Sequence, residues 1–233
     1  METSKFCARF DKIFPRDKVS APTFWYGNRL LRFFFDPCPL VKGMTSIKKQ
    51  KLLNIAFSCL DVNESYLEVG TYLGKSLISA VLGNPERKVY ACDNFSQFSP
   101  SNSFERLQNN LRKYKLDKSI IFVNADFIEV LNRDKISVPV GLYFYDGAHD
   151  ENSQYLAVKK IEDLLADEAV VIIDDWRFAE DSRSYAKVGT EKAIAESPNE
   201  WKVLYELPAR YNGDRAMWWN GVCVFSFRRR KGS

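Results

Sequence analysis

Histidine is almost absent from this chain, and paired cysteine motifs are missing from it. The 233 residues include one histidine and five cysteines, at positions 7, 38, 59, 92 and 223, and no two cysteines are spaced as CxxC. A zinc site built from histidine and cysteine is therefore nearly excluded. The odd count, and the apolar runs around Cys59, Cys92 and Cys223, favour free thiols in a reducing, cytoplasmic setting.

Long apolar runs are lacking as well. No stretch reaches the about 20 residues that a membrane-spanning helix needs, and the first segment, METSKFCARFDKIF, carries charges where a signal peptide has an apolar core. Basic residues exceed acidic ones only slightly, 34 against 30, and the basic run at 228–231 is typical of a solvated tail. These features predict a protein that binds neither a membrane nor a nucleic acid.

From residue 65 onward the chain alternates short apolar runs with longer helical patterns. The first five predicted strands are separated by helices, which indicates a parallel sheet, whereas only a loop separates the last two, which must therefore pair as antiparallel neighbours. The predicted fold is α/β, a Rossmann-like doubly wound seven-stranded sheet, mostly parallel with the last strand antiparallel. Ligands bind such sheets at the carboxyl ends of the strands. The strand candidates are 65–69, 88–92, 120–125, 140–146, 169–174, 201–207 and 221–228.

Residues 1–64 do not follow this alternation and are predicted to form an N-terminal helical extension to a main domain at 65–233. The segment 22–35 is rich in aromatic residues, and TSIKKQKLLNIAFSCL predicts a helix that begins at Thr45 or Ser46. We favour an extension that packs over a sheet edge. A lid over the substrate and a contact within a homodimer are the alternatives.

A glycine turn follows the first predicted strand. EVGTYLG places Gly70 and Gly74 before a helix, where glycine lets the backbone approach a ligand closely. The glycines are one residue too close for a Walker A loop, and Thr71 and Tyr72 stand where the dinucleotide fingerprint has further glycines. Glu68, just before the turn, would repel a phosphate but favour an ammonium or sulfonium group.

Acidic residues end four successive predicted strands, namely Glu68, Asp93, Asp126 and Asp146. One acid at a strand end is commonly a helix cap, but four along one rim are not explained by capping alone. With the glycine turn, this pattern resembles the class I S-adenosylmethionine-dependent methyltransferases. The resemblance implies that 65–233 is the cofactor-binding domain, with Asp93 on the ribose hydroxyls and Asp126 on the adenine amino group. It implies a cofactor-binding set of Glu68, Gly70, Thr71, Gly74, Ser76, Asp93, Asn94, Asp126 and Asp146.

The ends of the fourth and fifth strands, YDGAH and IDDW, narrow the resemblance. Neighbouring parallel strands would bring Asp146, Asp174 and Asp175 together, and clustered carboxylates repel one another unless a cation neutralises them. Oxygen ligands suit Mg²⁺ or a similar ion such as Mn²⁺, so these three residues are the predicted metal ligands. The pattern resembles the bacterial metal-dependent O-methyltransferases of methyltransferase family 24, over roughly residues 43–228. The alternative is that the aspartates only cap turns.

The resemblance implies metal-assisted methylation of an oxygen in a small-molecule or peptide-derived natural product, as in secondary metabolism. Asp146 and His149 are the candidate catalytic residues, because a neutral imidazole beside the metal ligand can accept a hydroxyl proton near pH 7. Asparagine at position 174 or 175 is then expected to relieve repulsion and leave folding intact. Two alternatives stay open: a hydroxylase-like relative, and a non-catalytic subunit that binds the cofactor and acts through a partner.

The segment between the last two predicted strands is too long and too aromatic for a simple hairpin turn. Trp218 and Trp219, with Arg210, either wall a pocket for an organic acceptor or plug the edge of the sheet.

Overall fold

The computed structural model describes residues 1–23, 33–98, 102–176 and 184–230, without the side chains at positions 17 and 185. Its helices are α1 Thr3–Ile13, α2 Arg16–Val19, α3 Ile47–Phe57, α4 Lys75–Val81, α5 Ser103–Lys113, α6 Phe127–Val130, α7 Glu151–Ile161 and α8 Tyr185–Ala195. Its strands are β1 Ser65–Val69, β2 Lys88–Cys92, β3 Ile120–Val123, β4 Val140–Tyr145, β5 Leu165–Asp174, β6 Glu200–Leu207 and β7 Val222–Arg228. Among the described residues, no helix is both long and apolar enough to cross a membrane.

The strands form one sheet in the order β3-β2-β1-β4-β5-β7-β6. Strands β1 to β5 pair in parallel, and β7 runs antiparallel to both β5 and β6. The predicted seven-stranded, mostly parallel α/β fold is confirmed. The chain steps outward from β1 to β3 and then returns to β4, so the strand order reverses between β1 and β4. In such sheets the crevice at the carboxyl ends of these two strands is the usual ligand site.

The central strands are apolar on both faces because helices cover both faces. Every residue of β4 is buried. Phe144 packs into one core cluster, with α3 and α4, whereas Tyr143 and Tyr145 pack into the other, with α6 to α8. This division follows from the alternation of side chains along a strand. The two cores hold β1 and β4 in place and so fix the positions of the residues that follow them.

Helix α1 packs into the core beside the edge strand β6. The ring centroid of Phe10 lies 4.2 Å from that of Tyr205, and Phe14 meets the Trp218 ring edge-on at 5.2 Å. Trp218 is fully buried and its indole N–H donates to the carbonyl of Val19 at 3.1 Å. Trp218 therefore fills the edge of the sheet, the second of the two roles that the sequence analysis leaves open for it.

The rest of the aromatic extension is described only in part. The segment 22–35 falls mostly on residues 24–32, which lie outside the described residues, so the lid and the dimer contact stay predictions. The Arg210 guanidinium lies over the Tyr211 ring, 5.4 Å from its centroid, and binds the buried carboxylate of Asp214 at 2.7 Å. This ion pair closes the loop between β6 and β7 on itself.

Helix α3 begins where the sequence predicts, because the Ser46 hydroxyl accepts the backbone N–H of Lys49 at 3.2 Å. It is buried on nearly all sides, and Lys48, Lys49 and Gln50 are buried in succession. A helix that is buried all round normally carries apolar residues, so consecutive buried lysines need partners. One of those partners lies at the end of β5.

Candidate active site

A cavity of about 240 Å³ opens at the carboxyl ends of β1 to β4. The predicted site residues that line it are Gly70, Thr71, Ser76, Asp93, Asn94, Asp126, Asp146 and His149. Glu68, Gly74, Asp174 and Asp175 stand outside this lining. Residues that the sequence did not predict as site residues complete the wall, among them Gly43, Met44, Thr45, Tyr72, Ile128 and Ser153. The segment before α3 therefore reaches the cavity, although no motif marks it.

The glycine turn is required by packing of the protein on itself. Gly70 has φ +86°, and a Cβ there would lie 1.8 Å from the backbone oxygen of Asp146. Gly74 has φ +85°, and a Cβ there would lie 2.7 Å from Leu107. Tyr72 also adopts a left-handed backbone, with φ +46°, which is costly for a residue with a side chain. The turn thus brings β1 against the end of β4 and leaves the Tyr72 N–H facing Asp93.

Asp93 is held by two backbone hydrogen bonds. The N–H of Tyr72 donates to Oδ2 and the N–H of Phe95 donates to Oδ1, both at 2.7 Å. Burial raises the pKa of Asp93 above its usual value, and these two hydrogen bonds lower it by less. A carboxylate offers about four acceptor positions, so two remain for a ligand. The two oxygens of Asp93 are therefore held in place in the cavity wall, where they can accept hydrogen bonds from two adjacent hydroxyl groups of a ligand.

Asp126 combines a capping role with a place in the cavity wall. Its Oδ1 accepts the N–H of Ile128 at 2.9 Å and caps α6, while its Oδ2 accepts the Asn94 amide at 3.0 Å. Asp150, four residues past Asp146, caps α7 through the N–H of Ser153 and is exposed outside the cavity lining. Capping therefore accounts for Asp150 fully and for Asp126 only in part.

Glu68 lies behind the cavity wall and is fully buried. The Tyr66 hydroxyl donates to Oε2 at 2.5 Å, and the Ser76 hydroxyl donates to Oε1 at 2.7 Å. Burial raises the pKa of Glu68 to about 8 although both hydrogen bonds lower it. Ser76 lines the cavity, so the link from Glu68 to a ligand would run through this hydroxyl.

The carboxylates after β4 and β5 converge as the sequence predicts. Tyr145 pairs with Ile173 in the sheet, which places Asp146 beside Asp174. Burial and the neighbouring Asp174 raise the pKa of Asp146 well above its usual value. Burial and Asp174 also raise the pKa of Asp175, whose backbone is left-handed with φ +50°. A cluster of this kind needs a positive charge.

Lys49 supplies that charge, and the sequence reasoning missed it. Its ammonium contacts both carboxylate oxygens of Asp174, Oδ2 at 2.5 Å, and its side chain is fully buried. Burial alone would lower the pKa of Lys49, but Asp174, Asp146 and Asp175 raise it by more, so that the net shift is upward. A signal existed: Lys49, Leu52, Leu53 and Ala56 recur at helical spacing, which places the lysine on the apolar face of α3.

His149 lies between the cavity and Asp175. Its Nε2 is 3.2 Å from Oδ2 of Asp175, and its Nδ1 is buried without a hydrogen-bond partner among the described residues. Asp146, His149 and Asp175 each offer one ligand atom, and these atoms lie within 4.8 Å of one another. This set has His149 where the predicted metal set has Asp174.

The predicted set Asp146, Asp174 and Asp175 does not fit a divalent ion in this arrangement. An ion on Asp174 would compete with the Lys49 ammonium for the same two oxygens. Two cations at one carboxylate in a buried setting repel strongly. The set Asp146, His149 and Asp175 does not use Asp174, so an ion bound there would not compete directly with Lys49 for its carboxylate. These three residues are the donor set that remains for an ion.

Comparison with known proteins gives a family match over part of the chain and a shared fold over most of it. Residues 67–176 match a family model described as a methyltransferase domain. The cofactor-bound protein Rv0187 from MTB has a TM-score of 0.63 at 18% identity, over 90% of this chain and 94% of that one. An O-methyltransferase from Bacillus cereus, in complex with SAH, has a TM-score of 0.54 at 14% identity over 98% and 92%. TomG from Streptomyces achromogenes, an O-methyltransferase of tomaymycin synthesis solved with SAM, has a TM-score of 0.57 at 13% identity over 99% and 100%. At these identities the three structures establish a shared fold.

Proposed function

We propose that this chain is a class I methyltransferase that methylates an oxygen of a small-molecule or peptide acceptor, with S-adenosylmethionine as the methyl donor. The match of residues 67–176 to a family model described as a methyltransferase domain supports this proposal. The observation that carries this proposal is the row of strand-end carboxylates beside the glycine turn, around one cavity at the switch point of the sheet. Oxygen as the acceptor atom is favoured by the O-methyltransferases that share the fold.

The residues present fit the donor. The two unused acceptor positions of Asp93 suit the paired hydroxyls of a ribose, and the carboxylate of Asp126 with the amide of Asn94 suits an adenine edge. When bound, S-adenosylmethionine supplies a methyl group that is already activated on a sulfonium centre. Since the pKa of Glu68 is about 8, this residue is mostly protonated at neutral pH and contributes little attraction for that positive charge.

His149 is the proposed base. Its Nε2 lies 3.2 Å from Oδ2 of Asp175, so we assign the proton to Nε2; that tautomer leaves Nδ1, which has no hydrogen-bond partner among the described residues, as the basic nitrogen. Tautomers of this kind are fixed by the partner of the other nitrogen, so Asp175 would hold His149 ready to accept the acceptor's hydroxyl proton. Asp146 lines the same part of the cavity and is the proposed contact for the acceptor oxygen.

The finer features of the reaction are also proposals. The tomaymycin role of TomG favours a natural product as acceptor and a place in secondary metabolism. The five cysteines are all free thiols, which supports the predicted cytoplasmic setting. Assistance by Mg²⁺ or Mn²⁺ would require either the trio of Asp146, His149 and Asp175 or displacement of Lys49.

Calorimetry with S-adenosylhomocysteine tests the donor, and we expect micromolar affinity, about −8 kcal/mol. Transfer of a labelled methyl group to a panel of phenols, sugars, carboxylic acids and peptides then tests the acceptor. His149→Gln should reduce turnover and change its pH profile while leaving S-adenosylhomocysteine affinity unchanged. Binding of NAD or ATP in place of S-adenosylhomocysteine would overturn the proposal. Donor binding without methyl transfer to any acceptor would favour the non-catalytic subunit.

A further inference from the structure

We propose that the Lys49 ammonium takes the place of a divalent cation at the acidic end of the site, so that the chain neutralises its own strand-end carboxylates and works without a metal ion. The acidic cluster is defined here as Asp146, Asp174 and Asp175. The structural part of this inference stands on the contacts of Lys49, and its functional part rests on the proposed methyl transfer.

The contacts of Lys49 are those of a cation bound by the cluster. Both oxygens of Asp174 accept from its ammonium, and the side chain has no exposure to solvent. Burial of an ammonium is strongly unfavourable unless an opposite charge meets it, so this pairing stabilises the folded chain. A metal ion at about 2.1 Å from the same carboxylate would lie within about 5 Å of Nζ. The two positive charges would repel each other in a buried setting, so one cation excludes the other.

The fold delivers Lys49 to this place and fixes it there. Its backbone N–H is held by the helix cap Ser46, and on its helical face Leu52 and Leu53 are fully buried. Lys48, the residue before it, points elsewhere, because its ammonium donates to the carbonyls of Lys18 and Ala21 at 2.7 and 2.6 Å. The two lysines therefore have different partners, and only Lys49 enters the acidic cluster.

The unmodified protein gives the first test. Mn²⁺ titration, followed by electron paramagnetic resonance and by calorimetry, should show no micromolar site, and methyl transfer should be undiminished in EDTA. A micromolar Mn²⁺ site in the unmodified protein would overturn the inference, and a tenfold or larger loss of methyl transfer in EDTA would overturn its functional part. The ion measurements need no acceptor and no methyl transfer, so they remain decisive even if the proposed function fails.

Removal of the ammonium gives the second test. Lys49→Met keeps the length of the side chain and Lys49→Ala opens space; both leave three carboxylates without their cation. The melting temperature should fall on the order of 10 °C. Millimolar Mn²⁺ or Mg²⁺ should restore at least half of this loss, and a Mn²⁺ signal should appear in both variants. Restored methyl transfer in Lys49→Ala with Mn²⁺ would show that the cation serves the reaction as well as folding.

Lys75→Ala is the matched control, because Lys75 is also nearly buried and pairs with Asp36 at 2.7 Å, away from the cluster. It should lose stability, and added Mn²⁺ should not restore it. Equal responses to Mn²⁺ in the Lys49 and Lys75 variants would contradict the inference.

If the single Lys49 variants do not fold, the double variant Lys49→Met/Asp174→Asn, which removes both charges, should be more stable than either single change. If the double variant is no more stable than the two single variants, Lys49 and Asp174 do not stabilise each other and the inference is wrong.

Discussion

The two halves of the sheet rim hold their carboxylates in different ways. In the half formed by the ends of β1 to β3, Asp93 accepts backbone N–H groups and Asp126 accepts a backbone N–H and the Asn94 amide. In the half formed by the ends of β4 and β5, Asp174 meets the ammonium of Lys49, 125 positions away in the chain. The first half is held by neutral hydrogen bonds from nearby turns, and the second by a cation from the N-terminal extension. A local motif can predict the first arrangement, whereas only the folded chain reveals the second.

The largest expected effect comes from Asp174→Asn, which removes the partner of Lys49 at nearly constant shape. Loss of one member of a buried ion pair typically costs about 3–5 kcal/mol. Chemical denaturation should therefore show a large loss of stability, the reverse of the relief that the clustered carboxylates alone would predict. Asp126→Asn in the other half is the control and should cost less than about 1 kcal/mol, because asparagine is also an effective cap. Equal costs would remove the distinction between the halves.

The contact between Lys49 and Asp174 shows where prediction from the sequence reaches its limit. The strands, the glycine turn and the meeting of Asp146 with Asp174 follow from periodicity and from the geometry of parallel strands. Lys49 does not, because the contact depends on how α3 packs against the end of β5. Its position on the apolar face of the helix marks it as a buried lysine, yet nothing in the sequence names its partner. The same holds for Glu68, whose burial depends on hydroxyls from β1 and α4.

Gly70 joins the two halves, so alanine there tests how closely they must approach. Its backbone is left-handed, and a Cβ would lie 1.8 Å from the Asp146 oxygen. Gly70→Ala should cost about 3 kcal/mol or more, since both the backbone and the neighbouring strand must shift. Gly83 is the matched control, with φ +73° and open space within 4 Å of a Cβ. Gly83→Ala should cost only about 1 kcal/mol, the cost of the left-handed backbone alone. Similar unfolding free energies would mean that β1 and β4 can separate without penalty.

Asp93→Ala tests whether the hydrogen-bonded half holds the donor. Affinity for S-adenosylhomocysteine should fall by about 1–3 kcal/mol in calorimetry, because a fixed acceptor pair is lost. Asp150→Ala removes an exposed helix cap outside the cavity lining and controls for a general loss of structure. It should leave the affinity unchanged. If the two variants bind equally well, Asp93 is a turn residue and the donor contacts lie elsewhere on the rim.

The smallest effect concerns Glu68, a buried carboxylate that two hydroxyls hold without a cation. Its pKa is raised from 4.5 to about 8, so the folded protein binds a proton that the unfolded chain releases between these values. The contribution of Glu68 to the free energy of unfolding is therefore greatest below pH 4.5, and it falls as the pH rises towards 8. From pH 6 to 7 the loss should be about 1 kcal/mol.

Glu68→Gln should remove this slope, because glutamine keeps the shape and does not titrate. From pH 6 to 7 the unfolding free energy of the unmodified protein should fall by about 1 kcal/mol, whereas that of Glu68→Gln should not show this fall. Glu86→Gln, at an exposed glutamate before β2, removes one carboxylate from the surface and should keep the unmodified slope. If Glu68→Gln instead runs parallel to the unmodified protein, Glu68 stays ionised when folded. The hydroxyls of Tyr66 and Ser76 would then suffice to hold a buried negative charge, and the cation at Asp174 would not be a general requirement of this rim.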